Sequence, residues 1–190
     1  MRARRYHPYD ANLLDIGAAQ ARVRRARQVA PLVVVFVHAG AEGADQTHTP
    51  REAQFYLGED RGDARRFAHA VIDVGASIVL GSGPHVVRGI ERYRKHLIAY
   101  SLGNFVGYHT LGLGGVLSLS GILRVTLAED GTVTAGRWIS LVLDDGLPRL
   151  DPSHASAKLV AALSKADFPA DHFPIGPVAG FTSRPHPRDD

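Results

Sequence analysis

Cysteine is absent from the 190 residues, which excludes disulfides and every cysteine-ligated zinc or iron–sulfur centre. A metal ion would need His, Asp, Glu, Asn or backbone oxygens. Long apolar runs are also missing: none approaches the ~20 residues that cross a bilayer. The opening Met-Arg-Ala-Arg-Arg-Tyr-His has the charges of an export signal without an apolar stretch behind them, so no such signal is expected in this chain. Charge of one sign is scarce, since 22 Lys and Arg against 19 Asp and Glu leave a net +3. The arginines do cluster early, at Arg2, Arg4, Arg5, Arg22, Arg24, Arg25 and Arg27. No interleaved aromatics or nucleic-acid motif accompany them, so they read as a solvated helix face and terminus, and no nucleic acid is expected. Tryptophan and methionine occur once each but histidine ten times, which turns attention to imidazole chemistry. The rest, 45% hydrophobic and 22% charged, is ordinary globular composition for one domain or a large part of a bigger one.

Asp15 can cap a helix over residues 16–30, with Ile16, Ala19, Val23, Ala26 and Ala30 on one face and Pro31 as its stop. The β-branched run 32–37 then predicts a strand buried on both faces. A polar loop follows to about Asp60, and irregular loops of that length are usually functional or mobile. Asp60 to Asp63 offer an acidic first turn to a second helix whose apolar stripe is Ala64, Phe67, Ala68, Val71 and Val74, with Gly75 at its left-handed end. Residues 77–80 predict another buried strand. Strand, helix, strand at these lengths is a βαβ unit with parallel strands. Beyond it, residues 87–93 and 96–100 predict an antiparallel pair around Arg94-Lys95, and 119–127 with 132–143 a hairpin across Glu129-Asp130-Gly131. Residues 1–150 are expected to hold the main domain. A helix over 153–165 and a loose Pro- and Gly-rich tail over 168–190 complete the chain.

In open α/β sheets, ligands bind outside the carboxyl ends of parallel strands. His38 follows the first strand and His85 sits in the Gly-rich turn after the second, with Glu42 nearby. Two imidazoles and a carboxylate on one edge can form part of a divalent-metal site, or can be ordinary hydrogen-bonded loop residues. His48, in the polar loop, is either a further nitrogen ligand or exposed. His69, beside an apolar stripe, reads as structural. A serine hydrolase built on Ser82 or Ser101 with His85 and Asp60 lacks the Gly-x-Ser-x-Gly elbow such enzymes use.

Val35-Phe36-Val37-His38-Ala39-Gly40-Ala41-Glu42 resembles the HxGxE segment of CapA-type poly-γ-glutamate capsule proteins, which look like a branch of the calcineurin-like metallophosphoesterases. The stretch 77–86, with Gly81-Ser82-Gly83-Pro84-His85-Val86, resembles that family's GSHPHV segment, Gly83 standing in place of the first His. Ile98-Ala99-Tyr100-Ser101-Leu102-Gly103-Asn104-Phe105 is similar to its IAYSLGNF. The resemblance covers about residues 30–106. It implies the C-terminal half of a four-layer αββα sandwich, with His38, Glu42 and His85 as the catalytic and metal-facing positions. Ser82, Ser101 and Asn104 would line the substrate pocket. A divalent ion, Zn or Mn, would activate water and stabilise charge on phosphoryl oxygens, with Glu42 either orienting a His or binding the ion.

The expected role is bacterial capsule or poly-γ-glutamate metabolism, as a metal-dependent phosphoesterase-type hydrolase or as a non-catalytic subunit of a capsule-assembly complex. The expected partners are a cell-surface polymer or phosphoester, and either an upstream half of the fold or a second copy. The resemblance also implies export or anchoring through N-terminal segments that this chain does not show.

Overall fold

The computed structural model describes residues 12–107, 112–173 and 180–182. In chain order the elements begin with α1 (Ile16–Arg27), β1 (Val34–His38), β2 (Phe55–Tyr56), β3 (Glu59–Asp60) and α2 (Ala64–Ile72). They continue with β4 (Ile78–Ser82), β5 (Ile90–Tyr93), β6 (His96–Ala99), β7 (Leu119–Leu127) and β8 (Val133–Asp144). The last are β9 (Leu147–Leu150), α3 (Ala155–Asp167) and β10 (Gly180–Thr182).

Local chemistry explains where the helices start. The Asp15 carboxylate accepts from Ala18 N at 2.9 Å and caps α1, whose last turn carries Arg24, Arg25 and Arg27 against the negative end of its dipole. Asp63, not Asp60, caps α2, accepting from Arg66 N at 2.9 Å. Asp60 lies in β3 and takes the Gly62 N–H at 2.8 Å. The α2 stripe buries Phe67, Ala68, Val71 and Ile72, and Gly75 follows the helix at φ +111°.

The first sheet has the order β1-β4-β6-β5. β1 runs parallel to β4 in register from Val34↔Ile78 to His38↔Ser82, as the βαβ reading requires. β6 is also parallel to β4, while β5 pairs antiparallel with β6 around Arg94-Lys95. The second sheet is antiparallel and built on β8, which pairs with β7 along one edge and, along the other, with β10 at residues 135–137 and β9 at residues 141–144.

One core lies between α1, α2 and the first sheet, around Val23, Phe67, Val71, Val79 and Ile98. The other joins both sheets and α3, around Ile90, Leu97, Val133, Trp138, Val160 and Phe173. This is a mixed α and β sandwich, in which α3 touches β5 as well as β7 and β8. Trp138 is fully buried, donates Nε1–H to Ser156 Oγ at 3.0 Å, and lies so close over Gly121 that an added Cβ there would sit 2.3 Å from the indole.

Two expectations change. The β1 run is not buried on both faces: it ends the sheet among the described residues, with Val34 57% and Phe36 70% exposed, and only Val35 and Val37 pack toward the helices. A β-branched run reports a strand but not how many neighbours it has. Nor are the first residues after α3 loose, because Phe168 and Phe173 are each 2% exposed within the two cores. Gly180–Thr182 pairs with β8. The rest of the expected tail lies outside the described residues.

A charged group is buried at the helix-covered face of the first sheet. Glu91 is 2% exposed; both its oxygens lie 3.0 Å from His69 Nε2, Tyr100 OH donates to it at 2.5 Å, and Arg65 stands at 3.7 Å. His69 is thus structural as expected, with its ring stacked on Tyr93 at 3.8 Å. Among the described residues no helix is long and apolar enough to cross a membrane.

Candidate functional site at the strand ends

The parallel register places His38 and Ser82 side by side at the carboxyl ends of β1 and β4, and the turn Gly83-Pro84 carries His85 just beyond them. Ser82 Oγ lies 3.3 Å from His38 Nδ1. His85 is held in the left-handed region at φ +61°, which a residue with a Cβ keeps only when its surroundings demand it. Asn104 fixes its ring. Its Nδ2 donates to Leu117 O at 3.2 Å, which turns Oδ1 toward His85 Nδ1 at 2.7 Å. A carbonyl oxygen only accepts, so His85 Nδ1 carries the proton and Nε2 is presented to the site. Nε2 faces Glu42 Oε2 at 3.6 Å, and the other Glu42 oxygen meets Arg61 Nη2 at 3.2 Å. Asn104, His85, Glu42 and Arg61 thereby form one polar chain across the strand ends.

His38 is not part of that chain; its ring is hydrogen-bonded to Ser82 instead. Ser101 is 2% exposed and its Oγ accepts from Gly103 N at 3.3 Å, which shapes the turn before Asn104. His48 pairs with Asp167 at 2.7 Å, at the end of α3, and supplies no ligand to the strand ends. Among the described residues no three His, Asp or Glu side chains gather closely enough to hold a metal ion. His38, Glu42 and His85 therefore do not fit a resident Zn or Mn ion on their own.

Two arginines that carry no sequence motif build the floor of the site. Arg61 balances Glu42 and also meets Glu59 at 3.4 Å. Arg88 is fully buried; Nε donates to Gln46 O at 2.8 Å and Nη1 to Gln54 Oε1 at 3.0 Å, while Nη2 is without a partner. Burial lowers its pKa to about 10, against the opposing charge of Asp167, so it stays cationic at neutral pH. It ties down the 39–60 segment, which further bonds from Gly40 N to Arg61 O and Gly43 N to Pro84 O fasten to the strand ends. That segment is anchored from beneath, and Arg88→Met should cost about 2 kcal/mol by freeing Gln46 and Gln54. The check is hydrogen exchange: protection should fall across residues 40–54 and stay unchanged in β7 and β8. No periodicity marks either arginine, because each acts through partners distant in sequence.

A βαβ unit that gathers histidines, a carboxylate and two arginines at its strand ends defines an α/β protein with a polar edge. The chain belongs to the family of the bacterial capsule synthesis protein PGA_cap, whose model matches residues 3–109. It is 39% identical over 77 residues to the capsule biosynthesis protein CapA of Bacillus anthracis, covering 40% of this chain and 16% of that one. With the PGA biosynthesis protein CapA of Bacillus subtilis it shares 38% over 84 residues, 44% of this chain and 19% of the relative. An uncharacterized protein of Sinorhizobium fredii is 34% identical over 99 residues, 52% of this chain and 19% of its own length. The chain thus matches less than a fifth of these relatives.

Proposed function

We propose that this protein acts on or holds poly-γ-glutamate, an anionic polymer of the bacterial surface, through the His85–Glu42–Arg61 edge. The observation that carries the reading is the fixed His85, whose Nε2 is aimed outward by Asn104 beside a carboxylate already balanced by Arg61. An imidazole so held, when it also carries a proton on Nε2, donates from Nε2 to a carboxylate chain lying across the strand ends. The name of the Bacillus subtilis relative, a PGA biosynthesis protein, supports the polymer, and that of the Bacillus anthracis relative supports the capsule. The principal reading is a non-catalytic subunit of capsule assembly. The second, a metal-dependent phosphoesterase-type hydrolase, is favoured by an Nε2 turned toward the Glu42 carboxylate but needs donors beyond His38, Glu42 and His85.

Calorimetric titration with γ-linked glutamate oligomers separates the two. Binding without added metal, weakened about 10-fold or more in His85→Ala and in Asn104→Ala, is expected from the loss of a hydrogen bond to a charged group. Affinity unchanged in both variants sinks the assignment of this edge. Phosphodiester turnover that appears only with Zn or Mn, and vanishes in His85→Ala, would select the hydrolase instead.

A further inference from the structure

The strand register of the second sheet sets two arginines against each other. Arg124 of β7 lies directly opposite Arg137 of β8, between the pairs Ile122↔Ile139 and Thr126↔Ala135. The alternate residues Leu123 and Trp138 turn inward to the core, so Arg124 and Arg137 turn outward, and both are exposed. Like charges directly opposite on one face of an antiparallel pair, with Cβ atoms about 5 Å apart, are destabilising. No neighbouring carboxylate compensates them. β7 contains no acidic residue, and the one in β8 is its last residue, Asp144, which pairs with Arg149. The other arginine ion pairs of the described residues use Arg61, Arg65 and Arg94, and neither Arg124 nor Arg137 makes an ion pair or a hydrogen bond among them. Two guanidinium forks held side by side without an acceptor suit an anion that lies across both.

The flanking residues narrow the kind of anion. Ile122 is 40% exposed and Ile139 half-buried, so aliphatic surface adjoins the charges. The only aromatic residue of β7 and β8 is the inward Trp138, which leaves no platform for stacked bases. We propose that this face docks the γ-linked glutamate chain itself, as a second contact besides the strand-end edge. Each repeat of that polymer runs through two methylenes and leaves one carboxylate pendant. The carboxylates meet Arg124 and Arg137, and the methylenes lie along Ile122 and Ile139. The identity of the polymer rests on the function proposed above, whereas the paired arginines are independent of it. A second copy of the chain is a poor occupant, because self-pairing of this face would bring four arginines together.

The test follows the anisotropy of a labelled γ-linked glutamate oligomer with the full chain, and maps contacts by amide chemical shifts. Wild type should show shifts at residues 122–126 and 135–139. The double variant Arg124→Ser with Arg137→Ser should abolish those shifts and weaken binding about 10-fold or more, the scale of a lost hydrogen bond between charged groups. It should melt no lower than wild type, since a repulsion is relieved. Absence of shifts on β7 and β8, or affinity unchanged in the double variant, overturns the inference, and a loss confined to His85→Ala then leaves the strand-end reading standing. A loss in the double variant with none in His85→Ala supports the inference and removes the strand-end reading instead. Two control ligands fix the occupant. An oligomer with its carboxylates amidated should leave β7 and β8 unshifted, and single-stranded DNA of equal charge should bind about 10-fold more weakly or worse, for want of a stacking platform. Either control binding as tightly as the glutamate oligomer overturns the proposal.

Discussion

Glu91→Leu should destabilise the protein by about 3 kcal/mol, the usual scale for removing one partner of a buried ion pair, or a fall of roughly 6–12 °C in Tm for a chain of this size. The lost carboxylate leaves His69, Arg65 and the Tyr100 hydroxyl without their common acceptor. Burial alone would raise the Glu91 pKa above its ordinary 4.5, but hydrogen bonds from His69 and Tyr100 and the charges of His69 and Arg65 outweigh it, and the group is held lower. Burial and the neighbouring Glu91 carboxylate push the Tyr100 hydroxyl well above 10, so it remains a donor. A carboxylate whose folded pKa is depressed adds stability that is complete above its unfolded value. That stability is lost as pH falls below about 4.5 and through the lower folded value. Denaturant melts across pH 7 to 3 should therefore show wild type losing more stability on acidification than Glu91→Gln. Parallel losses in the two proteins would show that the cluster does not drive acid sensitivity.

Gly83→His should cost about 3 kcal/mol and give no gain in Zn or Mn affinity. The family pattern has a histidine where this chain has Gly83, and on the sequence alone the substitution reads as restoring a nitrogen ligand. The backbone forbids it. Gly83 sits at φ +120°, and a Cβ there would stand 2.9 Å from Ala39 O and 3.1 Å from Ala39 N. That conformation disfavours any side chain by about 1–3 kcal/mol, and the contact with β1's own continuation adds to it. Relief requires the Ala39 backbone, whose N–H donates to Ser82 O at 2.9 Å, to move, so the substitution should disturb the site it was meant to complete. Calorimetric titration beside a thermal melt decides: a folded variant with tighter metal binding than wild type would contradict this account.

How much of this is legible in the sequence depends on the range of the physics involved. The Asp15 cap, the α2 stripe, the parallel β1–β4 pair and the β7–β8 hairpin all follow from neighbours within a few residues, or from one crossover. Placing His38 and His85 at one sheet edge needs only the rule that parallel strands point the same way. The rest depends on contacts made at long range. Nothing in Leu-Val-Val-Val-Phe-Val states that β1 will have one strand neighbour, β4, among the described residues. The three residues of β10 have no periodicity of their own and become a strand by pairing with β8. β9 follows β8 through the short turn at Asp145-Gly146, a local signal that the hairpin reading of 119–143 stops just short of. Arg61 and Arg88 look like ordinary surface charges until the loop folds over them. The motif around Asn104 marks it as a site candidate, but its hold on the tautomer of His85 needs the Leu117 carbonyl, thirteen residues away.

The single tryptophan gives the molecule a built-in reporter with a defined address. Trp138 lies between Gly121, Ser156 and the inner faces of the second sheet and α3, remote in the architecture from the exposed face of β1. Its emission follows the fate of that inner layer and is blind to what happens along that face. Tyrosine and histidine signals at Tyr93, Tyr100 and His69 follow the other layer. Light from one indole and resonances from one aromatic cluster can thus be followed side by side, so that the two layers of a small sandwich are timed separately as the chain comes apart.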